Sequence, residues 1–184
     1  MSSYFVYARL ASAEQEVFLA ELFRHFNGHT QGSGVHITIR GPYARKPTLS
    51  MLKRIQHDLN LEPLLFTGVK VFEGRRRVVV LPAINDRLQR VWWKPDFPTR
   101  LHGFMPHVTL YDGPSEQIAR DVESFVRASK IELKARISGL SVHETGSPDL
   151  FPSLHDRLST DLLIDARLVT VLANAKRHGF EPPI

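Results

Sequence analysis

The chain has 184 residues, of which 42% are hydrophobic and 23% are charged, as is usual for a soluble globular protein. It contains no cysteine, which excludes disulfide bonds, thiolate nucleophiles and cysteine-ligated metal sites. The net charge of +5 is a modest excess that favours polyanionic partners, nucleic acids among them. We find no basic leader followed by an apolar stretch and no apolar run near the ~20 residues of a membrane helix. We therefore expect a cytoplasmic protein without a membrane segment.

The first part of the chain predicts alternating strands and helices. Residues 4–10 are aromatic and β-branched and predict a strand, and Ser12 then begins a helix that ends at the Asn27-Gly28 pair. A second strand is expected over 35–41. Thr48 is placed to cap a second helix.

The middle of the chain predicts an antiparallel hairpin followed by two more helices. Residues 63–83 favour a hairpin that turns at Glu73-Gly74, and a third helix is expected from Asn85. A strand over 107–113 leads directly into a fourth helix. Residues 131–145 predict one long strand or a pair of strands.

We interpret residues 1–145 as one domain and residues 146–184 as a C-terminal extension. The extension begins with a linker-like segment and contains an amphipathic helix over about 160–178, which we expect to pack on the domain. Each half of the domain offers strands and helices, and the hairpin implies antiparallel pairing. We therefore expect an α+β fold with two related lobes.

One strand segment carries polar residues at every second position. It reads HITIR, residues 36–40, and alternate residues of a strand share a face. His36, Thr38 and Arg40 are therefore expected on one face, while the isoleucines between them anchor the strand in a core.

A second segment, HVTLY at 107–111, repeats this pattern with His107, Thr109 and Tyr111. Nine histidines and nine threonines in 184 residues predict about 0.4 His-x-Thr triplets by chance, yet the chain has three. The third, His143-Glu-Thr145, lacks the apolar neighbours and precedes Gly-Ser-Pro, so we interpret it as a strand end without a chemical role. The residues around the first two triplets match in type at every position, which favours a shared function.

The paired HITI and HVTL segments, 71 residues apart, resemble the signature of the 2H phosphoesterase superfamily. Within it the chain looks most similar to the 2′-5′ RNA ligase-like and cyclic phosphodiesterase branch, over about residues 4–145. The resemblance implies a bilobal, pseudo-two-fold arrangement of two antiparallel β-sheets flanked by helices, with the active-site cleft between them. It also implies an enzyme that acts on 2′,3′-cyclic phosphates or 2′-5′ phosphodiester linkages of RNA ends or nucleotides.

Carried over residue by residue, the resemblance makes His36 and His107 the general acid–base pair and Thr38 and Thr109 the phosphate-binding hydroxyls. Family analogy assigns the acid to His36 and the base to His107, with a 2′-phosphate as product. Two imidazoles supply both proton transfers, so the expected reaction needs no metal and no cofactor. The same pair can act in the reverse direction, so hydrolysis and ligation are not separated.

Four further residues are candidates for substrate binding. Arg40 is placed to hold a phosphate, or is a solvated charge at the strand end. Tyr111 is placed to stack a base, or packs against its loop. Tyr43, on the loop after the first segment, and Arg9, at the end of the first strand, are weaker candidates. The expected partners are RNA ends or nucleotide cyclic phosphates, and a monomer is favoured over an oligomer.

Two other classes of function remain open from the sequence. The basic charge and the aromatic and basic loops are also typical of an RNA-binding module that keeps the fold without catalysis. A metal-dependent hydrolase that uses the other histidines is the third alternative, although their spacing matches no familiar ligand set.

Overall fold

A computed structural model describes residues 3–59, 63–91, 105–145 and 166–177. Within these ranges the chain is an α+β structure with two antiparallel sheets, of three and five strands, and five helices. To this extent the expected fold class is confirmed.

The elements follow the predicted order along the chain. They are β1 Tyr4–Leu10, α1 Ala13–Asn27, β2 Ile37–Tyr43, α2 Leu49–Leu59, β3 Leu64–Thr67, β4 Lys70–Phe72, β5 Arg77–Ile84, α3 Asp86–Val91, β6 His107–Gly113, α4 Glu116–Ser129, β7 Glu132–Ala135, β8 Ile137–Glu144 and α5 Ala166–Arg177.

Local signals in the sequence fix most helix ends. The Ser12 hydroxyl accepts a hydrogen bond from the Gln15 N–H at 3.2 Å, and α1 stops at Gly28 in the left-handed conformation. Thr48 caps α2 in the same way, through the Met51 N–H. α4 is capped by Ser115, whose hydroxyl accepts a hydrogen bond from the Ile118 N–H at 3.2 Å.

The two strands formed by residues 131–145 are divided between the two sheets. β8 pairs with β1 in the sheet β2-β1-β8, whereas β7 pairs with β3 in the larger sheet. In the larger sheet, β5 pairs with β6 along one of its sides and with both β3 and β4 along the other. The predicted hairpin is thus confirmed, and its first arm is interrupted near Gly68, whose φ is 75°.

The strand pairs β1–β2 and β5–β6 have the same register around the motif threonine and share one irregularity there, while β1–β2 has a second shift between Tyr4 and Val6. In both, one extra residue follows the threonine of the His-x-Thr segment, which interrupts strict alternation as a β-bulge does. The extra residues are Ile39 and Leu110, between the pairs Tyr7↔Thr38 and Val6↔Arg40 in the first case and Val80↔Thr109 and Val79↔Tyr111 in the second.

The irregularity in β6 is bound by the last residue of α1. The buried Asn27 amide donates hydrogen bonds to the Leu110 carbonyl at 2.9 Å and to the Phe23 carbonyl at 2.7 Å. Its oxygen accepts from the Asp112 N–H at 2.9 Å. Helix α1 therefore links the two sheets, because it also packs on β1.

The predicted C-terminal helix is confirmed over Ala166–Arg177, and residues 146–165 and 178 lie outside the described residues. It packs against α1, where Leu168 and Ala175 are buried and the His25 ring lies 2.7 Å from the Ala175 carbonyl. In the part of the chain that the structure describes, no helix is long and apolar enough to cross a membrane.

Candidate active site

The first histidine of the matched pair lies immediately before β2. His36 Nδ1 lies 2.8 Å from the Gly34 carbonyl, with the Ser33 hydroxyl at 3.1 Å. A carbonyl only accepts hydrogen bonds, so Nδ1 carries the proton and the neutral ring has its lone pair on Nε2. This tautomer is the one that can take a proton at Nε2.

The second histidine is held in the same way. His107 is the first residue of β6, and its Nδ1 donates to the Met105 carbonyl at 2.6 Å. In both segments the acceptor is therefore the carbonyl two residues before the histidine. The two neutral rings therefore share a tautomer, with the proton on Nδ1.

The threonines follow the alternation that the sequence predicts. Thr38 and Thr109 are half-buried, while the residues between each histidine and threonine, Ile37 and Val108, are buried in the core. Each threonine therefore lies on the same face of its strand as the histidine two residues before it.

His36 lies at the end of a stack of three aromatic rings. Tyr7 of β1 lies against it with 3.9 Å between ring centroids and 19° between planes. His143 of β8 lies beyond Tyr7 at 5.2 Å and 15°. The interpretation of the third His-x-Thr triplet was therefore incomplete for His143. The Thr145 hydroxyl donates to the Ser3 carbonyl at 2.6 Å.

A different ring lies beside the second histidine. Phe72 of β4 contacts His107 edge to face, with 5.2 Å between ring centroids and 67° between planes. The alternation in β1 and β4 could have indicated Tyr7 and Phe72 as neighbours of the histidines, because each lies on the face of its strand that points away from the core.

Arg9 supports the backbone that carries His36. Its Nη1 donates to the Val35 carbonyl at 3.1 Å and to the Ser33 carbonyl at 3.3 Å, and Glu16 lies 3.5 Å away. Gly34 has a positive φ of 62°, and a Cβ there would lie 2.9 Å from Arg9 Nη1. The sequence offered Arg9 as a substrate contact, and the structure joins it to this loop.

Burial and charge together make His36 hard to protonate. Desolvation is the largest cause, the hydrogen bond to Gly34 opposes it, and Arg9, His143 and His107 lower the pKa further, to about 4. His107 and His143 thus lie within electrostatic reach of His36, and β2 and β6 approach one another. Burial also raises the pKa of Glu16, and Arg9 lowers it in part.

The placement predicted for Arg40 is wrong. Strict alternation puts it beside His36 and Thr38, but the extra residue Ile39 shifts the register, so that Arg40 pairs with Val6. The side chain is 6% exposed. An isolated strand-end charge in solvent, the other reading of the sequence, is also excluded.

The two tyrosine candidates are buried as well. Tyr111 follows the equivalent shift in β6, and its hydroxyl donates to the Ser115 carbonyl at 3.3 Å and accepts from the Ser115 N–H at 3.2 Å. It thus packs against its loop, which was the alternative to base stacking. Tyr43 ends β2, where it is 7% exposed and part of the core.

Within the described ranges, no three histidine, aspartate or glutamate side chains are grouped as a metal ion would require. The adjacent tryptophans at 92 and 93 and the segment 94–104 lie outside the described residues. No model of a known protein family matches this chain, and no curated protein matches it.

Proposed function

We propose that this protein is a metal-independent phosphodiesterase of the 2H type. Its substrates would be 2′,3′-cyclic phosphates or 2′-5′ linkages of RNA ends or nucleotides. The observation that carries the proposal is the matched pair of histidines. Each has Nδ1 bound to the carbonyl two residues earlier, and each has a threonine two residues later on the same face.

The proposed arrangement has two lobes related by a pseudo-two-fold axis, with the substrate in a cleft between them. Its support is the common register of β1–β2 and β5–β6, including the extra residue at the same position. The electrostatic influence of His107 on His36 supports a site to which both contribute.

The proposed chemistry needs two proton transfers at one phosphorus. One imidazole takes a proton from water as the water oxygen attacks, and the other gives a proton to the leaving ribose oxygen. The Thr38 and Thr109 hydroxyls donate hydrogen bonds to the non-bridging oxygens, where negative charge accumulates in the transition state. The reverse sequence of the same transfers joins two ends, as a 2′-5′ ligase does.

The test is a panel of substrates in the presence of EDTA. It contains the four nucleoside 2′,3′-cyclic phosphates, an RNA that ends in a cyclic phosphate, and a 2′-5′-linked dinucleotide. We expect turnover of at least one member, with the product resolved as a 2′- or 3′-phosphate. Activity that EDTA abolishes and added divalent metal restores would overturn the metal-independent mechanism.

The runner-up is an RNA-binding module without catalysis. Four exposed cations, Arg45, Lys46, Lys53 and Arg54, follow β2 and continue onto α2. Such a module would bind RNA with a steep salt dependence and hydrolyse no member of the panel. That combination of results would replace the phosphodiesterase proposal.

A further inference from the structure

The face of the larger sheet that carries Thr109 also carries an exposed lysine. Lys70 of β4 lies opposite Val80 of β5, and Val80 lies opposite Thr109 of β6. Residues directly opposite each other on antiparallel strands project from the same face of a sheet, so Lys70 and Thr109 share a face. Neighbouring strands lie about 4.8 Å apart, which puts the Cα atoms of these two residues about 10 Å apart.

A ring contact and the burial of Val80 support the same placement of Lys70. Phe72 lies two residues after Lys70 on β4 and therefore shares its face, and the Phe72 ring contacts the His107 ring. Val80 is fully buried, yet it does not belong to the hydrophobic core that contains its neighbour Val79. Lys70 thus projects on the side of the sheet where the second histidine lies, away from the core.

The charge of Lys70 is not neutralised by the surrounding protein. The residue is exposed, and within the described ranges its side chain makes no hydrogen bond and no ion pair. The acidic residue on this face of β6 is Asp112, and it is engaged by Arg76, whose Nε lies 2.6 Å from the Asp112 Oδ1. The ammonium group of Lys70 is therefore available to an anionic ligand.

The equivalent position in the smaller sheet carries no charge. Ser141 of β8 lies opposite Tyr7 of β1, and Tyr7 lies opposite Thr38, the first motif threonine. Ser141 thus corresponds to Lys70. The two His-x-Thr segments are matched, but only one of them has a cation two strands away. A task that both segments share does not explain this cation, whereas an anionic group on one side of the substrate does.

The order of the strands separates Lys70 from the phosphorus that reacts. β2 and β6 approach one another, so the proposed reaction site lies between these two strands. β4 pairs with β5 on the side opposite to β6, so Lys70 lies further out, on the side of β6 that faces away from β2. The flexible four-carbon stem of the lysine suits it to a second group of the same substrate.

We propose that Lys70 binds a second phosphate of the substrate, the one on the 5′ oxygen of the nucleoside whose cyclic phosphate is opened. This inference rests on the proposed function and narrows its substrates to RNA ends and 5′-phosphorylated nucleotides. Lysine binds phosphate as a compact charge with three N–H donors. The 5′-phosphate is a diester in an RNA chain and a monoester in a free nucleotide.

The binding of nucleotides with one or two phosphates tests the inference without relying on turnover. The probes are adenosine 2′- and 3′-monophosphate and adenosine 2′,5′- and 3′,5′-bisphosphate, and calorimetry measures the Kd of each. The test variant is Lys70→Met, which keeps an unbranched side chain but removes the charge. The matched control is Lys134→Met, because Lys134 is also an exposed strand lysine of the larger sheet, on β7, which β3 separates from β5.

We expect the wild-type protein to bind each bisphosphate about tenfold more tightly than the matching monophosphate, as for a hydrogen bond between charged groups near the surface. Lys70→Met should remove most of this preference, and Lys134→Met should retain it. Equal Kd values for bisphosphates and monophosphates in the wild-type protein would overturn the inference. So would a preference that survives in Lys70→Met, including the case in which that variant binds both kinds of nucleotide equally weakly.

Turnover identifies the source of the second phosphate and separates this inference from the proposed function. The substrates are adenosine 2′,3′-cyclic phosphate, its 5′-phosphorylated form and a dinucleotide that ends in the cyclic phosphate. Whichever of the last two loses more kcat/KM in Lys70→Met, relative to the first, identifies a nucleotide or an RNA end as the preferred substrate. If the wild-type protein opens all three with equal kcat/KM, the inference is wrong and the phosphodiesterase stands. If it turns over none of them and no member of the earlier panel, the proposed function fails and the inference fails with it.

Discussion

At the scale of single residues, the depressed pKa of His36 makes the stability of the fold depend on pH. The ring titrates near pH 6.5 in an unfolded chain, whereas in the folded chain its pKa is about 4. As the pH falls, the unfolded chain therefore binds this proton first. The contribution of His36 to stability is present above pH 6.5 and is lost as the pH falls towards 4.

We predict that His36→Asn removes this part of the pH dependence. Between pH 8 and pH 5, the wild-type protein should lose about 2 kcal/mol more unfolding free energy than the variant. Urea denaturation at the two pH values measures the difference. Equal losses in both proteins would show that His36 titrates normally in the folded state.

The loop that supports His36 gives a second prediction at this scale. Gly34→Ala places the Cβ of an alanine in the left-handed backbone conformation against the Arg9 guanidinium. Gly68→Ala also puts an alanine at a positive φ, but no atom lies within 4 Å of its Cβ. Both variants should lose about 1–2 kcal/mol of stability from backbone strain. Only Gly34→Ala should also lower kcat/KM in the proposed reaction, because it displaces the carbonyl that holds His36. A matching loss of kcat/KM in Gly68→Ala would contradict this explanation.

At the scale of elements, the sequence predicts where the helices begin and end, but it does not predict the register shifts in β2 and β6. The caps Ser12 and Thr48 and the stop at Gly28 are local signals, and each acts as predicted. The extra residues Ile39 and Leu110 have no such signal, because the alternation of polar and apolar letters continues through them. Arg40 and Tyr111 were misplaced for that reason, and His143 was missed because its partner ring is distant in sequence.

The bulge in β6 gives a prediction about Asn27. Its buried amide binds the Leu110 carbonyl and the Asp112 N–H, so Asn27→Ala leaves both of these groups without their partner. We expect a loss of about 2–4 kcal/mol in unfolding free energy.

The comparison variant is Asn85→Ala, which also removes an amide bound to backbone groups, here at the start of α3. Since Asn85 is only half-buried, its loss should be about 1 kcal/mol. A smaller cost for Asn27 than for Asn85 would show that the bulge does not depend on this side chain.

At the scale of the whole molecule, the C-terminal helix contributes to stability from the outer side of α1. Helix α1 packs on the sheets, and α5 packs on α1. Leu168→Ala should therefore cost about 2 kcal/mol or more, because Leu168 is 9% exposed. Val169→Ala, at a neighbouring position that is 48% exposed, should change stability by less than about 0.5 kcal/mol.

Neither variant should change turnover per folded molecule, since the two histidines are carried by β2 and β6. Thermal unfolding and kcat/KM measured on the same preparations distinguish the two effects. A specific loss of kcat/KM in Leu168→Ala would indicate that α5 takes part in the site.

The most direct test of the central claim is the turnover of a nucleoside 2′,3′-cyclic phosphate in EDTA by the wild-type protein, His36→Asn and His107→Asn. Circular dichroism on each preparation confirms that the variants are folded. We predict wild-type turnover and a loss of about 10²- to 10⁴-fold in each variant, because each histidine performs one of the two proton transfers. An unchanged rate in either folded variant would contradict the proposal that the two act as a pair.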